Sequence, residues 1–296
     1  MAILNLTPDS FYPGSRLIGA DGTFDAAMFV ARVDAALEQG ADIIDLGACS
    51  TRPGSQPVSA EEEWARLQPA LTLWRSHFRD VPLSVDTFRS SVALRSAAYS
   101  DHLIVNDVAA GDADPQMLSV VASLGCGYVA MHHTLLSDAP GLDAAGQVVG
   151  FTPEESDGGV PDPEGCPWAV RQLNAWYEAF EQKAEAAGLK DWWFDPGFGF
   201  GKSLSQNWTI LRHLEKLPHE RPILVGLSRK SMFYKLLKPA DFASSPAVSG
   251  PSPDAPGTLP DPASRPETLL FTRLANRLAL SAGASIFRVH DPADVF

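Results

Sequence analysis

The strongest constraint on this chain is a repeated event. A short apolar run, strand-like in composition, ends in a residue able to do chemistry, and a helix-length amphipathic stretch usually follows. AILN ends on Asn5. DIIDLGACSTRPG runs out into Ser50, Thr51 and Arg52. PLSVDT delivers Asp86, LIVND delivers Asn106 and Asp107, and YVAMH delivers Met131 and His132. WWFDPG delivers Asp195, PILVGLSRK delivers Ser228, Arg229 and Lys230, and SIFRVHD delivers Arg288, His290 and Asp291. Eight such runs predict a (β/α)8 TIM barrel, whose chemical groups gather at the C-terminal ends of the strands. Strand–helix–strand repetition with short turns implies a parallel sheet. An open doubly wound sheet is the alternative.

The intervening stretches carry helical periodicity. Asp25–Gln39 places Phe29, Val33, Ala36 and Leu37 on one face and stops at Gly40. Ser59 followed by Glu61, Glu62 and Glu63 reads as a capped helix start that runs on through Trp64, Leu67 and Leu71. Further helices are expected over Arg89–Ser100, Pro115–Leu124, Trp168–Ala187, Ser205–Leu217 and Thr268–Ala282. Two stretches break the rhythm. Thr134–Pro167, after the fifth strand, is rich in Gly, Pro and Asp; Pro239–Pro266, before the last helix, is rich in Pro, Ala and Ser. Both read as surface insertions rather than a second domain, so residues 1–296 are expected to form one unit.

Composition narrows the partners. At 296 residues and 45% hydrophobic, the chain suits one well-filled core. A formal net charge of −13 argues against nucleic acid or an anionic membrane as partner. No run is long enough to span a bilayer, and AILNLT reads as a strand rather than a signal peptide. Cys49, Cys126 and Cys166 are odd in number and lack metal spacing, which fits a reducing, cytoplasmic setting.

In so acidic a chain, the cations at strand ends stand out. Arg52, Arg229, Lys230, Arg288 and His290 together point to an anion pocket, since Arg grips phosphate oxygens bidentately and Lys adds a point charge. Asp86, Asn106 and Asp195 fit either a structural hydrogen-bond network in the barrel mouth or recognition of a flat heterocycle bearing N–H donors. Met131 and Phe198 fit either the faces of that ring or the core. Asn5 either orients a loop or offers a hard oxygen to Mg²⁺, which keeps waters and binds substrate phosphates. GFGFGKS at Gly197–Ser203 approaches a phosphate loop, but Pro196 stands where its first Gly is required, so it reads as a turn. Neither Cys49 nor the pair His132 and His133 forms a reactive-thiol or zinc pattern.

Taken in order, ILNLTPDSF, DIIDLGACSTRPG, SVDT, ND, MH, DPGFGFGK, SRKS and RVHD resemble the dihydropteroate synthase family across nearly the whole chain outside the two insertions. The resemblance implies a pterin-binding barrel and a folate-pathway transferase. Such an enzyme joins 6-hydroxymethyl-7,8-dihydropterin diphosphate to 4-aminobenzoate, giving 7,8-dihydropteroate and pyrophosphate. Carried over by motif, Asn5 would contact Mg²⁺ on the diphosphate. Asp86, Asn106, Asp195 and Lys230 would bind the pterin, with Met131 packing on it. Arg288 and His290 would hold the diphosphate and, with Lys230, act in catalysis. Thr51, Arg52, Pro53, Phe200 and Ser231 would frame the aminobenzoate, and the loops Thr7–Arg16 and Ser50–Gln56 would close over the site. The resemblance also implies a homodimer.

There are departures. Cys49 stands where the family usually carries an acidic residue, the chain begins almost at the first strand, and it stops at Phe296, where a final helix is expected. Two other readings stand beside the synthase: a non-catalytic pterin-binding homologue, and a pterin-dependent methyltransferase of similar fold, which has little use for STRPG and SRK together.

Overall fold

In the computed structural model, the described residues are 1–6, 17, 24–49, 58–134, 165–234 and 266–296. β1 (Ala2–Asn5) leads to α1 (Ala26–Glu38), β2 (Ile44–Gly47) to α2 (Ala60–His77), β3 (Leu83–Asp86) to α3 (Ser90–Ser96), and β4 (Leu103–Asp107) to α4 (Met117–Leu124). β5 (Gly127–Met131) leads to α5 (Trp168–Ala187), β6 (Trp192–Asp195) to α6 (Leu204–Arg212), and β7 (Leu224–Val225) to α7 (Ser231–Tyr234) and α8 (Pro266–Ser281), before β8 (Ile286–Phe287).

β1 to β6 form one sheet in chain order, every neighbouring pair parallel, and β7 pairs parallel with β8. Two parallel bridges carry the ring around. Phe194 of β6 meets Ile223, with the Phe194 N–H donating to the Pro222 carbonyl at 2.9 Å. Ala2 of β1 meets Val289 just past β8, and the Ile3 N–H donates to the Val289 carbonyl at 2.9 Å. The first strand thus follows the last, which a closed barrel requires and an open doubly wound sheet forbids.

Every residue of β2, β4 and β5 is buried, as expected of parallel strands covered on both faces. Alternation along each strand separates two environments. One set of side chains meets the helices in the main core, which includes Leu46, Val85, Val105, Tyr128 and Phe194. The other set points into the barrel. There Met1, Ile104, Val129 and Leu224, with Ile43, Trp193 and Ile286 against them, form a separate apolar plug. Two residues further along these strands, the same inward set becomes polar: Asp45, Asn106, Asp195 and Arg288.

The helices start where capping chemistry allows. Ser59 accepts a hydrogen bond from the Glu62 N–H at 3.2 Å, with three acidic residues in the first turn of α2. Ser203 and Gln206 form a reciprocal capping box that opens α6. Two expected helices are shorter than their periodicity suggested. α3 passes into a 3₁₀ turn over Ala97–Tyr99, and α6 stops at Arg212 before a 3₁₀ turn over Leu214–Lys216. Apolar spacing continues through such a tightened last turn, so periodicity alone does not mark the change. Most of the two insertions, residues 135–164 and 239–265, lies outside the described residues.

Candidate active site

Arg288 organises the barrel mouth. It follows β8, and its backbone N–H donates to Val225 at 2.9 Å, which fixes its register. Its Nε donates to Asp45 Oδ2 at 2.7 Å, and its Nη2 lies 2.6 Å from the same oxygen and 2.7 Å from Asp86 Oδ2. Nη1 makes no hydrogen bond among the described residues. Asp45 is fully buried and also accepts from Ser84 Oγ at 2.5 Å and from Asn106 Nδ2 at 3.4 Å. Two strands therefore meet the cation directly, and β4 joins the network through Asp45. Burial opposes the guanidinium charge, but Asp45 and Asp86 together hold its pKa above the ordinary value. Burial pushes Asp86 up to about 7; Arg288 counters this, while Asp45, Glu63 and Asp107 add to it.

The β5 and β6 ends form a second group. Met131 and Asp195 are register partners, and both are buried. Asp195 Oδ1 accepts the Gly197 N–H at 2.7 Å. Burial raises the Asp195 pKa, against that hydrogen bond and the positive charges of Lys230, Lys202 and Arg288. The Lys202 ammonium reaches back under this turn to His132 and to three backbone carbonyls. Gly197 and Gly201 have φ of +69° and +59°, a region that favours glycine. A Cβ on Gly201 would lie 2.5 Å from the Thr134 carbonyl oxygen, so the turn presses directly against the segment after β5.

On the far side, Lys230 Nζ sits 4.5 Å from the centroid of the Phe200 ring, a cation–π contact between the loops after β6 and β7. Ser231 opens α7 beside it. His290 Nδ1 lies 3.0 Å from Ser228 Oγ, tying the β8 loop to the β7 loop. Asn5 shares a register row with Gly47, Asp86 and Asn106. A Cβ on Gly47 would sit 3.4 Å from Asn5 Oδ1 and 3.6 Å from Asp86 Oδ2, in van der Waals contact with both, so Gly47 lies between these two side chains.

These positions sort the expectations. Asp86, Asn106, Asp195 and Arg288 lie at one mouth, within reach of one another's charge, and Met131, Phe200, Lys230, Ser231 and His290 occupy the adjoining strand ends. Thr51, Arg52 and Pro53, and the loops Thr7–Arg16 and Ser50–Gln56, fall outside the described residues. Arg229, at φ +57°, pairs with Asp291 2.6 Å away. Phe198 is 1% exposed within the main core, so the core reading holds for it.

Three participants were missed. Asp45 lies inside an apolar strand, and its signal was the rarity of a carboxylate among buried residues without a cationic partner. Lys202 ends the glycine-rich turn. Glu63, also fully buried, pairs with Arg89, which in turn binds the Val58 carbonyl. Burial, chiefly, raises the pKa of Cys49 close by, which keeps it a thiol.

The family model described as pterin binding enzyme matches residues 1–290. The dihydropteroate synthase of Neisseria meningitidis serogroup C is 33% identical over 297 residues, covering 98% of this chain and 87% of that protein. A mitochondrial folate synthesis bifunctional protein of Arabidopsis thaliana is 37% identical over 245 residues; this chain spans about 40% of its length. Among solved structures, the dihydropteroate synthase of Xanthomonas albilineans with 4-aminobenzoic acid superposes with a TM-score of 0.70 at 31% identity, covering 100% of this chain and 88% of that one.

Proposed function

This chain belongs to the pterin-binding enzyme family, and from that premise we propose that it is a dihydropteroate synthase, condensing 6-hydroxymethyl-7,8-dihydropterin diphosphate with 4-aminobenzoate. The observation that carries the reading is the inward polar layer, where two carboxylates, an amide and a guanidinium from separate strands face one cavity mouth.

Asp86, Asn106 and Asp195 offer acceptors and an amide to the N–H edge of the pterin ring, with Met131 beneath and Lys230 at the rim. Asp45 holds Arg288 from behind through Nε, leaving Nη1 to meet the diphosphate beside His290. As the C–O bond breaks, its electron pair leaves with the diphosphate, and Arg288 stabilises that growing charge where it develops. The ring carries the matching positive charge, which the carboxylates of Asp86 and Asp195 favour. The weakly basic aryl amine then attacks the electron-poor carbon, forms the C–N bond and sheds a proton. Thr51, Arg52, Pro53, Phe200 and Ser231 frame the aminobenzoate in this reading.

Mg²⁺ fits the residues present in one limited way. The Asn5 amide forms no hydrogen bond among the described residues, and these contain no cluster of three or more acidic, His or Cys ligands. Asn5 would thus be a lone protein ligand, with the ion otherwise held by water and diphosphate, where it would neutralise phosphate charge.

We further place the enzyme in the cytoplasm as a homodimer. The three cysteines are free thiols, no described helix is long and apolar enough to cross a membrane, and Leu270, Leu274 and Leu278 form an exposed apolar stripe on α8. Pyrophosphate release by Arg288→Ala tests the chemistry: turnover should fall by about a hundredfold or more, and unchanged turnover contradicts the assignment of Arg288.

A further inference from the structure

Lys202 is the buried cation for which the proposed chemistry has no use. Its Nζ lies 2.9 Å from His132 Nδ1, 3.1 Å from the His132 carbonyl oxygen, 3.0 Å from the Gly197 carbonyl oxygen and 3.0 Å from the Phe200 carbonyl oxygen. An ammonium has three hydrogens, so four acceptors around it form a saturated cage. The cage is fixed from outside. His132 is 2% exposed, its Nε2 lies 3.2 Å from Thr134 Oγ1, and its ring meets Trp176 edge-on. Positive φ at Gly197, Gly199 and Gly201 bends the turn so that the Gly197 and Phe200 carbonyls both point inward at one atom.

We propose that Lys202 is a positioning residue, whose caged ammonium sets the shape of the 195–202 turn and thereby places the Phe200 ring against Lys230. The geometry separates two effects. Asp195 has an anchor outside the cage: its strand pairing with Met131 fixes its backbone, although the N–H its carboxylate accepts comes from Gly197, a cage residue. Phe200 is held by a backbone bond of its N–H to the Gly197 carbonyl at 3.1 Å and by its own carbonyl on Lys202. Both Phe200 anchors run through the cage. Burial pulls the Lys202 pKa down to about 7, with Lys230 adding to the fall and Asp195 opposing it. Loosening the cage should therefore displace the aminobenzoate side of the site and spare the pterin side. This rests on the functional reading above, in which Phe200 frames the aminobenzoate.

The test is steady-state kinetics of the full chain with both substrates, comparing wild type with Lys202→Ala. The KM for 4-aminobenzoate should rise about tenfold or more, since an ångström-scale misplacement costs up to about a hundredfold, while the KM for the pterin diphosphate stays within about threefold. Ammonium chloride should restore much of the loss by refilling the cage; tetramethylammonium chloride at equal ionic strength, too large to enter, should not. Should Lys202→Ala fail to fold, Lys202→Arg carries the same test: its planar fork keeps the charge but cannot seat a point donor among three carbonyls. Two results overturn the proposal: both KM values unchanged, with or without a fall in kcat, or no selective rescue by ammonium. A wild type that forms no dihydropteroate overturns the functional reading itself, and this inference with it.

Discussion

Arg288→Ala should unfold far more easily than wild type, and the loss should depend on pH. The substitution removes the cation shared by Asp45, fully buried, and Asp86, whose side chain is 17% exposed. Three close contacts of 2.6–2.7 Å disappear. Ser84 and Asn106 still donate to Asp45, so it keeps part of its compensation. Removing one member of a buried ion pair costs about 3–5 kcal/mol, and that is the expected loss at pH 8. The sign follows from Asp86. Its folded pKa, about 7, already lies above the ordinary carboxylate value, and removing Arg288 removes the charge that restrains it. A carboxyl raised in the folded state contributes stability fully present below its unfolded pKa and lost as pH rises through the folded one. Each further unit of rise adds about 1.4 kcal/mol to the loss at high pH. Urea unfolding of both proteins at pH 5 and pH 8 measures this through the shift in midpoint. A loss below about 1 kcal/mol at pH 8, or one that is flat with pH, would refute the argument that Arg288 is the hub of a buried network.

Two further outcomes follow from the same geometry. Asp86→Asn should remove the titration itself, so between pH 5 and pH 8 wild type should lose about 2–3 kcal/mol relative to the variant; equal slopes in urea titrations would count against a raised Asp86. Gly197→Ala should be severe, since its Cβ would overlap the His132 carbonyl oxygen; Gly40→Ala, with φ +89° and open space around it, should cost only about 1 kcal/mol. Thermal melts that rank these two variants the other way would contradict the packing of the 195–202 turn.

Most of the fold was legible because parallel strands buried on both faces read as apolar runs, and the polar residue that ends each run marks the barrel mouth. Asp86, Asn106, Asp195 and Arg288 were found this way, each at or just past a strand end. Asp45 was not, because it lies two positions deeper, inside the strand, next to the isoleucines of an apolar run. The same depth hid the state of Arg288. As a strand-end cation it reads as open to an anion, whereas the network already engages two of its nitrogens with carboxylates, and only Nη1 makes no hydrogen bond among the described residues. Lys202 was hidden for another reason: three of its four partners are backbone carbonyls, which no residue type announces, and the fourth is the ring of His132, seventy residues away. Arg229 shows that a conspicuous cation can be engaged within the protein, here by Asp291.

The most direct measurement is product formation by the purified chain. Supplied with the dihydropterin diphosphate, 4-aminobenzoate and Mg²⁺, it should release pyrophosphate and form 7,8-dihydropteroate in equal amounts. Saturable binding of the pterin diphosphate with no product at any enzyme concentration would contradict the account, leaving a barrel that holds the ring without transferring it.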